Sequence, residues 1–194
     1  MLSERLQLKL YLEPSAHFEV EALIPVFHRF IREQLIKELL IDVVDYSHVP
    51  NGPGVVLIGH AADYYVGAMD GAFGLTYSLK RGASAPEVRL ADALRRLVNV
   101  ARLLEQDSGL GLRFKSGELS LRLVDRLHAP NDDATFAGTK AEVEQVFGQA
   151  YGAPIAVERL LEARGPLGVR IKADSSPALE ALLEKLGGPP SAPN

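Results

Sequence analysis

Leu6, Leu8, Leu10 and Leu12 alternate with Gln7, Lys9 and Tyr11. A period of two predicts a strand with one face turned to a core. Leu23, Phe27, Phe30 or Ile31 and Leu35 then recur at helical spacing. That helix either starts near Ala22, with Pro25 in its first turn, or kinks at the proline, which lacks an N–H and clashes one turn back. "ELLIDVVDYSHV" (38–49) is rich in β-branched residues and reads as a strand. "PNGPG" (50–54) is a turn cluster, and "VVLIGH" (55–60) a short apolar strand. "AADYYVGAMDG" (61–71) fits no single period, and "AFGLTYSLKRG" (72–82) predicts a further strand.

The second part of the chain opens with a long helix over 84–109. Ser84 is the expected N-cap, Pro86 and Glu87 fill the first turn, and Gly109 follows the end. Its apolar stripe is Leu90, Leu94, Leu97, Val98, Ala101 and Leu104. "LGLRFKSGELSLRLVDRL" (110–127) reads as a strand, a Ser-Gly turn and a second strand. "TKAEVEQVFGQAYG" (139–152) reads as a helix capped by Thr139 and Glu142 and ended by Gly152. "PIAVERLLEARGPLGVRIKA" (154–173) predicts two short strands about a Gly-Pro turn. A last helix is expected with Ser176 as cap and Pro177 at its first position.

Two stretches resemble each other across the chain. "LQLKLYL" (6–12) matches "LSLRLVD" (119–125), and "GPGVVLI" (52–58) matches "GPLGVRI" (165–171) with one residue inserted. The fold expected is therefore α+β, built of two duplicated β-α-β-β halves packed as a pseudo-dimer around a mixed or antiparallel sheet. The first half covers 1–108 and carries extra material at 59–83. The second covers 109–187, and the Gly/Pro/Ser-rich residues 188–194 form a disordered tail. Residues 5–60 should then superpose on 117–173. The segment 65–79 is extra strand material that extends the sheet or offers an edge to a partner, so a homo-oligomer is expected.

Composition narrows the function without naming it. The apolar fraction of 47% and charged fraction of 24% suit a soluble globular chain with a sizeable core. The absence of cysteine excludes disulfides, thiolate metal sites and thiol catalysis, and fits a cytoplasmic protein. A net charge of −4 without a basic patch argues against nucleic acid, and no apolar run is long enough for a membrane span. Phosphate-loop, nucleophile-elbow and zinc-helix motifs are absent from the sequence.

Candidate chemistry concentrates in "DYSHVPNGPGVVLIGHAADYY" (45–65). Asp42, Asp45, Tyr46, His48, His60, Asp63 and Tyr64 are the expected ligand-binding residues. Asp42, Val44, Tyr46 and His48 share one strand face and Ile41, Val43, Asp45 and Ser47 the other. Two aspartates on opposite faces cannot both meet the same solvent, so at least one should be paired or line a cavity. The hairpin is expected to wall a pocket between the two halves. His48, His60 and Asp63, aided by Asp42, Asp45 or His28, are the candidate ligands of a divalent metal such as zinc, iron or manganese. His28 among apolar neighbours reads as a core-edge residue, His17 as a loop or cap residue and His128 as a strand end. Arg95, Arg96 and Arg102 read as a solvated helix face able to pair with an acidic neighbour. The expected function is a non-catalytic binding or assembly module for a small molecule or a protein. The alternative is a small metal-dependent, hydrolase-like enzyme using His48, His60 and Asp63, with His48, His60 and Asp45 as acid–base candidates.

Overall fold

The leucine alternation forms β1 (Leu6–Leu12), with Leu6, Leu8 and Leu10 fully buried, each side chain contributing roughly 1.5–3 kcal/mol by leaving water. In the computed structural model, residues 3–14, 19–68, 71–80, 86–160 and 165–190 are described. A 3-10 turn (Val20–Ala22) leads into α1 (Leu23–Arg32), so Pro25 sits in the first turn, where its missing N–H costs nothing. Next come β2 (Leu40–Tyr46), β3 (Gly54–Gly59), β4 (Ala62–Gly67) and β5 (Gly74–Leu79). The long helix α2 (Pro86–Glu105) separates these from β6 (Phe114–Leu123). The chain closes with α3 (Asp133–Tyr151), β7 (Ile155–Arg159), β8 (Leu167–Ala173) and α4 (Leu179–Lys185).

The strands make one eight-stranded sheet in the order β2-β3-β4-β5-β1-β6-β8-β7, antiparallel throughout. The fold is α+β, with four α-helices among the described residues. Leu8 pairs with Tyr77 on one side and Leu121 on the other, and Leu121 with Val169, so the apolar positions share one face. That face and the buried sides of all four helices form one continuous core. The opposite face carries no described helix. Its Lys9 is nonetheless buried, with its stem along Gly74 and its Nζ donating to the Ala72 carbonyl at 2.5 Å.

Several expectations give way to tertiary contacts. Ser116-Gly117 is not a turn: β6 runs straight through it, and the register against β1 shifts between Leu10 and Leu12 instead. Glycine is needed there because a Cβ at 117 would stand 2.6 Å from Ser176 Oγ. Ser176 is accordingly not a cap; α4 begins later, with Ala178 at its N-cap, so Pro177 lies outside the helix. Helix α3 starts at Asp133, where Asp132 caps it by accepting from Thr135 N at 2.8 Å, and Thr139 is buried mid-helix. Ser84 and His17 lie outside the described residues. Of the expected tail 188–194, residues 188–190 are described: Gly188 N donates to Leu183 O at 2.9 Å and Pro190 is buried.

Strand order also overturns the superposition of 5–60 on 117–173. β8 adjoins β6, but β3 is separated from β1 by β4 and β5. By position in the sheet, β4 and β5 answer to β7 and β8, and the hairpin β2–β3 has no counterpart. Residues 65–79 therefore extend the interior of the sheet, and the two edges are β2 and β7.

Candidate functional site

The β2–β3 hairpin is closed by its own backbone. Val49 N donates to Tyr46 O at 3.0 Å and Gly52 N to Val49 O at 2.9 Å. Gly54 has φ +74, and a Cβ on it would run into the Val66 carbonyl of β4, so glycine alone fits. Asp45 accepts from Ser47 N at 2.8 Å, and that backbone hydrogen bond holds its carboxyl below the usual carboxylate range. Asp42 accepts from Val43 N at 2.7 Å. Both aspartates are exposed, and among the described residues neither meets a lysine or arginine. The expectation that one must be paired or line a cavity fails because β2 is an edge strand, solvated on both faces near its ends. The hairpin stands at the end of the sheet remote from β6, β8 and β7, so it does not wall a pocket between the two halves.

The expected metal ligands are not brought together. Tyr46 pairs with Gly54 at the start of β3 and Leu40 with Gly59 at its end. His48 follows the first pair and His60 the second, so they stand at opposite ends of a strand that spans roughly 20 Å. Asp63 is held by Lys80 Nζ at 2.8 Å and by Gly59 N at 3.2 Å. No group of three or more His, Asp or Glu able to hold a metal occurs among the described residues. His28 is exposed on the outer side of α1, and His128 pairs with Asp125 at 2.8 Å.

Tyr64 points the other way, into the core, and leads to a network that sequence reasoning did not anticipate. Its hydroxyl donates to Glu38 Oε1, and its ring lies 5.1 Å from that of Tyr77. Burial, with the neighbouring Glu38 charge, pushes the Tyr64 hydroxyl far above its ordinary value. Glu38 also meets Arg96 NH1 at 3.0 Å, their side chains being 7% and 15% exposed. Arg96 Nε reaches Asp92 at 2.6 Å, and Arg95 takes the other Asp92 oxygen at 2.7 Å. Burial opposes the Arg96 charge, but the Asp92 hydrogen bond and the Glu38 charge outweigh it and hold the guanidinium firmly protonated. Arg95 and Arg96 thus pair with acidic neighbours, and Arg96 is largely withdrawn from solvent. The i,i+4 spacing of Asp92 and Arg96 was the available signal.

Beside this network, a cavity of about 470 Å³ at the foot of β2 is lined by Ile31, Ile36, Leu39 and Leu40 together with the polar Gln34, Lys37 and Glu38. Apolar exposure gathers at the same place. Leu39 is 67% and Ile41 58% exposed, and Leu35, Tyr46 and Val49 are also exposed. Most of the large exposed hydrophobic side chains thus lie within 35–49. The chain is charge-asymmetric here as well. No lysine or arginine occurs between Lys37 and Lys80, while Glu38, Asp42, Asp45 and Asp63 do. Compared with known families and with curated proteins, the chain matches no family model and no curated relative. No described helix is long and apolar enough to cross a membrane.

Proposed function

We propose that the protein is a binding and assembly module without catalytic activity, working through the outer edge of β2. The observation that carries this is the concentration of exposed Ile41 and Tyr46 on the edge strand and of Leu35, Leu39 and Val49 in the segments flanking it. An edge strand offers an unpaired row of amides and carbonyls, and exposed edges are normally blunted by lysine, proline or a covering element. β2 has neither lysine nor proline; its guards are two aspartates and a register shift between Leu40 and Asp42, which leave Asp42–Tyr46 in regular extended pairing on its inner side. Strand addition uses such an edge: main-chain hydrogen bonds give affinity, and pockets beside it give specificity. The cavity of about 470 Å³ at Leu39 and Leu40, lined by both apolar and polar side chains, leaves room for a side chain of the incoming strand.

The shared order of strand, helix, strand, strand, helix in the two halves also supports a duplication to which the β2–β3 hairpin was added. An addition at the sheet's end is where a new partner-binding edge would arise. A homo-oligomer, expected from the sequence, is one product of such an edge, and a foreign strand is the other. The cysteine-free composition supports a cytoplasmic setting.

The test is a double variant, Leu39→Lys with Ile41→Lys, which supplies the missing gatekeeper charges. Wild-type protein is titrated against short extended peptides of alternating sequence, and amide hydrogen exchange is read along 40–46. Protection of these amides by peptide, or by self-association, that disappears in the variant supports the reading. Binding that the variant leaves untouched, or no protection at any concentration, overturns it.

A further inference from the structure

We propose that the strand accepted by β2 belongs to another protein and carries the order cation, apolar, apolar, cation. This rests on the strand-addition reading and names its partner. The argument begins with the four residues Asp42, Val43, Val44 and Asp45. Burial follows the same order: the two aspartates are exposed, and the two valines are half-buried, Val43 on the helix side opposite Leu57 and Val44 on the helix-free face opposite Val56. The register against β3 runs without interruption from Asp42 opposite Ile58 to Asp45 opposite Val55, so the alternation of faces holds through all four. Asp42 lies on the helix-free face with Ile58, and Asp45 on the helix side with Val55. A strand laid along the free edge, in either direction, sets residues three apart opposite the two aspartates. Those residues fall on opposite faces, and the two between them meet Val43 and Val44. Opposite charges in directly facing pairs stabilise a sheet and like charges destabilise it.

The electrostatic surroundings select the sign. Asp42 accepts from the Val43 amide, and Asp45 from the Ser47 amide with the Ser47 hydroxyl and His48 beside it; neither meets a lysine or arginine among the described residues. The stretch from Glu38 to Leu79 contains no lysine or arginine to neutralise them. An incoming lysine or arginine meets an uncompensated carboxylate on each face, and an incoming acid meets repulsion on both. Its apolar middle pair completes the burial of Val43 and Val44.

The same geometry disfavours a second copy of this chain. Full antiparallel overlap of two β2 strands about the centre of Val43 and Val44 sets Asp42 against the partner copy's other aspartate, twice over. The required order occurs in this sequence as Arg29-Phe30-Ile31-Arg32, which is inside α1. No described strand carries it.

The experiment uses the full chain and three short synthetic peptides with identical flanks. Their cores are Lys-Val-Val-Lys, Glu-Val-Val-Glu and Lys-Lys-Val-Val. Binding is read by fluorescence anisotropy, and location by hydrogen exchange of 40–46. The first peptide should bind about 2- to 30-fold tighter than the second, the range two cross-strand charge pairs supply. It should also outbind the third, and lose its advantage as salt is raised. In the variant Asp42→Lys, Asp45→Lys, both positions being exposed, the preference should reverse toward Glu-Val-Val-Glu. If the peptides protect β2 equally and the variant changes nothing, the charge pattern falls while strand addition stands. If the protein instead forms dimers or longer assemblies that protect β2, the partner is this chain and the proposal is overturned. If no peptide of any charge protects β2 and no self-association does, both the proposal and the strand-addition reading fall.

Discussion

Arg96 reaches from α2 to the segment before β2 and draws Glu38, Asp92 and Tyr64 into one set of contacts. Arg96→Met should destabilise the fold by about 3 kcal/mol in urea unfolding, because it leaves a nearly buried Glu38 carboxylate without its cation. Tyr64→Phe should cost less, about 1–3 kcal/mol, since one donor is lost and the ion pair remains. Asp45 behaves differently because it is exposed. Its folded pKa lies below the unfolded value of 3.8, held by the Ser47 amide. Its contribution to stability is therefore present above 3.8 and lost as pH falls through the lower, folded value. Carboxyl chemical shifts followed on acidification should show Asp45 titrating below 3.8; a midpoint at or above that value would refute the turn geometry. These networks were not legible in the chain. Glu38 and Arg96 are distant in sequence, and no local period links them. Asp42, Asp45, His48, His60, Asp63 and Tyr64 were visible as a polar cluster. Their dispersal over two strand ends and two faces depended on where β2 and β3 lie in the sheet.

At the scale of elements, periodicity served well wherever a strand kept a single buried face. β1 and the core-facing side of β5 followed their alternation, and α1 its stripe through Leu23, Phe27 and Phe30, but the helix ends at Arg32 and Leu35 beyond it is exposed. The pattern misled at β6, where a turn-like Ser-Gly pair lies inside a continuous strand, because close approach and reversal both call for glycine. Gly117→Ala should lower the melting temperature and loosen the 175–176 segment, seen as faster hydrogen exchange there. An unchanged melting temperature would mean that the neighbouring loop yields freely. On β2 the opposite is expected. Leu39→Lys and Ile41→Lys change exposed side chains and should each stay within about 0.5 kcal/mol of wild type. A large loss of stability would show these residues to be part of the core.

For the molecule as a whole, the two halves are not separable bodies. β1 and β6, drawn from opposite sides of the 108/109 division, pair at the centre of one sheet, and a single core runs beneath all eight strands. Thermal unfolding should therefore be one cooperative transition with coincident near- and far-ultraviolet signals. A fragment of residues 1–108 should lack dispersed amide resonances, having lost one of the two partners of β1 and the helices α3 and α4 from the shared core; a well-folded fragment would argue against this.

The pairing of β1 with β6 also sets an order of events during synthesis. β5 can join β1 early, but the other side of β1 has no partner until Phe114–Leu123 has left the ribosome. At roughly 5–20 residues per second, that delay lasts on the order of 5–20 s. Throughout it, a nascent chain holds out the leucine-rich β1, unpaired along both sides until β5 is made and along one side thereafter, to its neighbours on the same message. The vulnerable edge in the growing chain is thus the strand that ends up innermost, whereas in the finished protein it is β2.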